Sequence, residues 1–190
     1  MQKLMNDSGL RKLIIICFAF ILISFVCVIA MLTGLADTEI RGFAVDSSGR
    51  IYVGMNNEIR VYDKDIQVNS ISPQSSRAYA FTISEDDTLL LSTANKVYKM
   101  TTDGEILDSW EDKASLTYIN LRRNKNEFTS GKDTYTLKGT FFRSRIVKNN
   151  NETVYQITLL SFIFKILSFI GFGGMTICIF MAVRRVNSRL

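Results

Sequence analysis

Two apolar runs, Leu13 to Leu35 and roughly Ile166 to Val183, carry no charged side chain, and between them apolar and polar positions alternate. A helix needs about 20 apolar residues to cross a bilayer. The ends therefore predict two transmembrane helices, one over 13–35 and one over 157–183 with an interfacial lead-in. In the middle, Gly42-Phe43-Ala44-Val45-Asp46, Arg50–Gly54 and Glu58–Tyr62 read as alternating apolar and polar runs rich in β-branched and aromatic side chains. Turn residues such as Asp46-Ser47-Ser48-Gly49 and Asn56-Asn57 separate them, which is the pattern of short strands joined by hairpins. No stretch of 36–156 carries a 3.6-residue apolar stripe, so no helix is expected there. Pro73, the single proline, lies in Ser72–Arg77, which reads as a connection between units.

The strands repeat. A shift of 38 residues lays Phe43-Ala44-Val45 on Phe81-Thr82-Ile83, Ile51-Tyr52-Val53 on Leu89-Leu90-Leu91, and Asn57-Glu58-Ile59 on Asn95-Lys96-Val97 without a gap. Each unit holds about four short strands, and a period near 40 with four strands marks propeller-type blades. A third, degraded copy is expected, with Ile119-Asn120-Leu121 one further period on, Tyr135 aligned with Val97, and Phe141–Val147 as its last strand. That alignment puts Glu127 where Leu89 stands, so it needs a one-residue slip to Phe128.

Residues 43–53 followed by Ile59-Arg60-Val61-Tyr62-Asp63 resemble a blade of the NHL/WD-type β-propeller group, over about residues 40–110 well and 115–150 badly. Ile66 stands where the blade pattern prefers Gly, whereas Gly104 fills that place in the second unit. The resemblance implies propeller-like four-stranded units. Closed rings usually use four to eight blades. Two or three units therefore imply an open β-meander, with completion by further copies or by a partner as the other routes. The expected fold class is a mainly β extracytoplasmic domain flanked by two transmembrane α-helices.

Charge orients the helices. Lys3, Arg11 and Lys12 against Asp7 precede the first run, and Arg184, Arg185 and Arg189 follow the second. Basic flanks favour the cytoplasmic side, so tails 1–12 and 184–190 are expected inside the plasma membrane and domain 36–156 outside. That domain holds 16 basic and 17 acidic side chains, which removes the basic pI as a sign of nucleic-acid binding. Small residues at Gly34 and Ala36 could mark a signal cleavage site, but the apolar core exceeds the 7–15 residues of a usual signal, so an uncleaved anchor is expected. Cys17, Cys27 and Cys178 all fall in the apolar runs, leaving the domain without a disulfide, an arrangement that leans towards a bacterial surface.

Candidate chemistry is sparse. With no histidine anywhere and no cysteine in the domain, His general bases, Cys nucleophiles and common zinc sites are not expected. Glu85-Asp86-Asp87 occupies the place of Ser47-Ser48-Gly49 and reads as a hairpin turn, and Asp63-Lys64-Asp65 lacks the rest of a calcium loop. Asn151-Glu152-Thr153 matches a glycosylation acceptor, a pattern common by chance in an Asn-rich stretch. Acids dominate 36–112 and bases 113–156, so Arg122, Arg123, Lys125, Arg143, Arg145 and Lys148 form a candidate basic face for lipid headgroups or a neighbouring chain. Ser168, Gly171, Gly174 and Cys178, with Ser24, Cys27 and Gly34 on the other run, form candidate helix-packing faces. Lys165 is expected at the outer interface with its ammonium in water. The functional expectation is a non-enzymatic membrane-anchored binding module without cofactors. Its expected partners are lipid and a protein or further copies. The alternative is an accessory subunit of a transporter, channel or secretion complex that docks through its helices.

Overall fold

The computed structural model describes residues 8–37, 39–73, 78–93, 95–140 and 142–187, so Lys3, Asp7, Phe141, Arg189 and the 74–77 part of the Ser-rich connection lie outside the described residues. The chain forms two compact units, one of residues 1–36 with 159–190 and one of Asp37–Thr158.

The first unit contains two helices, α1 (Ser8–Leu32) and a later one, Leu159–Asn187, each long and apolar enough to cross a membrane. They pack antiparallel, since Gly171 lies on Ser24 and Gly174 on the Phe20 ring, while Gly9 sits beside Arg185. A Cβ on Gly171 would come within 3.2 Å of the Phe20 carbonyl oxygen, and one on Gly174 within 2.6 Å of the Phe20 ring. Small residues allow this close approach of backbones. Ser24, Cys27, Ala30, Gly171 and Cys178 are buried along the seam, and Ser168 and Gly174 are half-buried on it. Gly34 is not part of that seam. It lies beyond the end of α1 at φ +80° with open space where a Cβ would stand, a backbone turn that glycine makes without strain.

The second unit is three four-stranded antiparallel sheets, the arrangement expected of propeller-like blades, each with its strands in chain order. The first holds β1 (Gly42–Val45), β2 (Ile51–Gly54), β3 (Ile59–Asp63) and β4 (Ile66–Ile71); the second holds β5 (Tyr79–Ile83), β6 (Leu89–Thr93), β7 (Lys96–Met100) and β8 (Ile106–Glu111). After helix α2 (Leu116–Arg123) comes the third, β9 (Glu127–Ser130), β10 (Asp133–Gly139), β11 (Ser144–Lys148) and β12 (Glu152–Gln156); the long C-terminal helix is α3.

The first sheet lies between the other two. Ala44, Tyr52 and Val61 on one face pack against Phe81, Leu89, Leu91 and Met100 of the second sheet. Phe43, Val45, Ile51 and Val53 on the opposite face pack against Tyr135, Ile146 and Tyr155 of the third. Alternation along each strand supplies both faces, so the central sheet is apolar on both sides. Phe128 on β9 touches both cores.

The third sheet departs from the sequence expectation. Ile119-Asn120-Leu121 belongs to α2, not to a strand. The helix displaces the third unit, so that Phe43, Phe81 and Phe128 hold the same place in β1, β5 and β9, paired with Val53, Leu91 and Tyr135. Tyr135 thus lies in the second strand of its sheet rather than the third. β11 begins at Ser144, and a further strand, β12, closes the sheet. The helix has no sequence signature because α2 carries apolar residues on both its inward and outward sides, which erases the 3.6-residue contrast. At the Ile66 departure, Lys64 takes the positive φ (54°) of a tighter hairpin, whereas Gly104 (φ +95°) sits where a Cβ would meet Ile71 at 2.9 Å.

Candidate functional site

Three hairpins, one from each sheet, meet around a cleft of about 820 Å³. β1–β2 contributes Asp46 to Gly49, β5–β6 contributes Ser84, Glu85 and Asp87, and β9–β10 contributes Gly131, Lys132 and Asp133. Val45, Ile83, Phe128 and Tyr135 supply its apolar part. Volumes of this order accommodate small ligands. Lys148 and Asp133 mark the cleft end of the third sheet. The opposite end of that sheet holds Ser144, whose carbonyl accepts from Ile157 N–H at 3.1 Å. The entry segment is at that far end too, where Glu39 and Ile40 line a smaller hollow with Ser144. Neither connection of the unit crosses the cleft.

The first two hairpins have one geometry. Asp46 N–H bonds Arg50 O at 3.1 Å and Gly49 N–H bonds Asp46 O at 3.0 Å; Ser84 N–H bonds Thr88 O and Asp87 N–H bonds Ser84 O, both at 3.0 Å. Asp87 (φ 56°) stands where Gly49 (φ 86°) stands, as the turn reading of Glu85-Asp86-Asp87 expected. An aspartate tolerates this left-handed conformation better than most residues. Its carboxylate also reaches beyond its own turn. It accepts from Ser47 N–H at 2.8 Å and from the Ser47 hydroxyl, tying the second sheet to the first.

Asp46 is buried, with only 2% exposure, and is fully engaged. It accepts from Ser48 N–H (3.1 Å), Ser48 Oγ (2.7 Å), Arg50 N–H (2.9 Å), Arg50 Nε (2.7 Å) and the Tyr52 hydroxyl (3.1 Å). Burial pushes its pKa up, but the bonds from Ser48 and Arg50 and the Arg50 charge outweigh that and hold it below 3.8. Burial first, and the Asp46 charge second, push Tyr52 well above the usual phenol range. In the third hairpin Asp133 is held low by Lys148 Nζ at 2.7 Å and by Asn149 Nδ2 at 2.7 Å. Glu85 and Lys132 differ from these. Among the described residues neither makes a hydrogen bond or ion pair, so a free carboxylate on the second sheet and a free ammonium on the third line the same cleft. Among the described residues no group of three potential ligands could hold a metal ion.

The six basic candidates do not gather on one face. Lys148 lines the cleft and is paired with Asp133, while Lys125 lies in the hollow at the other end, 3.0 Å from Glu39. Arg143 and Arg145 stand at the Ser144 end of β11, with Arg143 beside the Gln156 side chain. Arg122 and Arg123 are exposed on α2. Lys165, expected in water, is only 2% exposed; Ser161, Lys165, Ser168 and Gly171 recur on one face of α3, the face that packs. Sequence reasoning missed the cleft. Its signal is three polar turns, each following a strand with Phe at its second or third position, once the third unit is allowed its own spacing.

A second polar cluster has no motif in the sequence. Arg60 reaches Asp37 at 3.1 Å and Glu58 at 2.6 Å, with 16% of its side chain exposed and 5% of Asp37's. Burial lowers the Arg60 pKa, but Glu58 and Asp37 together outweigh it and raise it beyond its ordinary value.

No family model and no curated protein matches the chain. Among solved structures it is similar to a protein of unknown function from Bacteroides caccae, at 14% identity over 64% of this chain and 46% of that one, with a TM-score of 0.33. It is also similar to streptogramin B lyase, at 18% identity over 62% of this chain and 39% of that one, with a TM-score of 0.33. The chain spans less than half the length of either protein.

Proposed function

We propose that this chain is a membrane-anchored recognition module whose β unit binds its ligand in the three-hairpin cleft. The convergence of one hairpin from each of three sheets on a single cleft carries this reading. The loops are rigidly held, by Asp46 within its own turn and by Asp87 across to Ser47, so the site is pre-organised rather than assembled on binding. In this reading α1 and α3 cross the bilayer. Their antiparallel pairing puts Arg11, Lys12, Arg184 and Arg185 at one end, which the basic-flank rule assigns to the cytoplasm, and the β unit lies outside.

The three sheets form an open array in this proposal rather than part of a larger ring. α2 covers the second sheet, touching β5 and β6, and the outer face of the third sheet presents Thr134, Thr136 and Lys138 around Val147, which is already buried.

The test replaces Lys132 with a photo-crosslinking residue in the full chain, in its native membrane, with the exposed Gln67 on β4 as control. A discrete adduct from position 132 and none from 67 is the expected result. Adducts from both, or from neither, refute the cleft as the recognition site. The alternative, an accessory subunit docking through its helices, draws on outward side chains such as Phe169 (71% exposed) and Phe180 (68% exposed), and predicts adducts from those positions instead.

A further inference from the structure

α2 faces the wrong way for a helix that only covers a sheet. Its inward residues Thr117, Tyr118 and Leu121 are half-buried, whereas Leu116 and Ile119 are 61% and 46% exposed. At 3.6 residues per turn, Leu116, Ile119 and Arg123 lie on one outward stripe, with Arg122 on its flank. Trp110, the only tryptophan in the chain, is 43% exposed. It pairs with Val97 on the face of the second sheet turned away from the first, the face α2 covers. Arg122 donates to the Tyr118 hydroxyl at 2.9 Å and is in no ion pair among the described residues, and Arg123 has no partner among them.

The position of this stripe matters. β8 ends and β9 begins at the end of the unit remote from the cleft, and Lys125, just beyond α2, is ion-paired to Glu39 of the entry segment. Only Ile157 and Thr158 separate β12 from α3. Two residues span under about 7 Å, so the linker to a helix long and apolar enough to cross a membrane is short.

We propose that the outward stripe of α2, together with Trp110, seats on the surface of an anionic lipid bilayer. The proposal rests on the reading that α1 and α3 span a membrane. Leu116 and Ile119 would enter the boundary between headgroups and acyl chains, Trp110 would take the interfacial position its amphipathic ring favours, and Arg122 and Arg123 would meet phosphates. The two exposed arginines beside the apolar stripe, on a unit joined by a two-residue linker to a helix of membrane-spanning length, favour an anionic bilayer as the occupant.

The single tryptophan makes the test direct. The full chain is reconstituted into phosphatidylcholine vesicles, with or without phosphatidylglycerol, carrying bromine at a shallow acyl position. Vesicle flotation reports insertion and Trp110 emission reports contact. The expected result is quenching that is stronger in the anionic vesicles. It is lost in the Leu116→Asp/Ile119→Asp double variant and made lipid-independent by Arg122→Gln/Arg123→Gln, with near-UV circular dichroism in detergent matching the parent in both variants. Unquenched Trp110 in floated anionic vesicles overturns the proposal and leaves the spanning reading intact, as does quenching that the double variants do not change. A chain that fails to float overturns both.

Discussion

Replacing Asp46 tests whether the cleft is built on a buried carboxylate. In Asp46→Ala the Tyr52 hydroxyl, on a side chain with no exposure, keeps only a long 3.4 Å contact to Thr102 O, and Arg50 loses its charge-assisted bond. The two turn N–H groups can turn to water. An orphaned buried hydroxyl costs about 1–3 kcal/mol and a hydrogen bond to a charged group contributes about 1.5–3, partly offset by Arg50 regaining water, so the net loss is about 3 kcal/mol. For a domain of this size that corresponds to a fall in Tm of roughly 10 °C. The assay is thermal unfolding in detergent followed by Trp110 fluorescence, which reports only the β unit because no other tryptophan exists. Asp46→Asn keeps one acceptor and loses the charge, and should fall about halfway. The pH dependence has a definite sign. A carboxyl whose folded pKa lies below 3.8 contributes stability that is complete above that value and disappears as pH falls through the folded pKa. The gap between parent and Asp46→Asn should therefore be flat at neutral pH and close only below pH 3.8. A fall in Tm under roughly 3 °C for Asp46→Ala, or a gap that closes near neutrality, would refute the reasoning.

Other substitutions probe the remaining joints. Arg60→Leu removes one charge-assisted partner from the nearly buried Asp37 carboxylate and one from Glu58, and should destabilise the β unit by about 1.5–3 kcal/mol in the same melt. Asp87→Gly and Asp87→Ala both lose the tie to Ser47, but glycine accepts φ 56° freely, so the glycine variant should melt above the alanine one by the equivalent of about 1 kcal/mol. Gly139→Ala adds a Cβ against the Arg143 carbonyl oxygen at φ +126°, and should lower Tm by several degrees in the same assay. In the helical unit, Cys17 and Cys178 line one groove, so a short thiol-reactive crosslinker should join them in the parent; Gly171→Val, which crowds Phe20 O and Ser24 N, should reduce that yield on a denaturing gel.

Much of this architecture is legible as periodicity. Alternation finds the strands of the first two sheets, and the 38-residue offset places Phe43 on Phe81 because those units differ by no insertion of consequence. It fails at the third because α2 widens the next interval, Phe81 to Phe128, to 47 residues. A fixed period then matches β9 to the wrong strand and makes a complete sheet look degraded. The pair Phe128-Thr129 repeats Phe81-Thr82, and a comparison tolerant of one insertion would find it. The helix-packing residues are readable because small side chains at a helical spacing have few other uses in an apolar run; Gly34 misleads because a glycine that ends a helix looks the same in sequence as one that packs. The basic cluster fails for a different reason. Nearness in sequence groups Arg143, Arg145 and Lys148, but an antiparallel strand carries its two ends to opposite ends of the sheet.

The cleft depends on sheet order, which no local pattern encodes. The third sheet packs on the first, not on the second that precedes it, so the chain returns to its beginning after two units. That return brings the hairpins of residues 46–50, 84–88 and 131–132 together. In the open-array proposal it also leaves two sheet faces with no neighbouring sheet: α2 covers one, and the other carries Thr134, Thr136 and Lys138 around the buried Val147. In the open-array proposal the insertion that hides the third repeat is also the element that would let three sheets stand without a fourth. If α2 is a cap, Tyr118→Asp or Leu121→Asp on its inward side should expose Ala80 and Ser92 and promote self-association of the β units, whereas the outward Leu116→Asp should not. Sedimentation in detergent that shows Leu116→Asp and Leu121→Asp to be equally monomeric would mean that the face needs no cover, and the role given to α2 would be wrong.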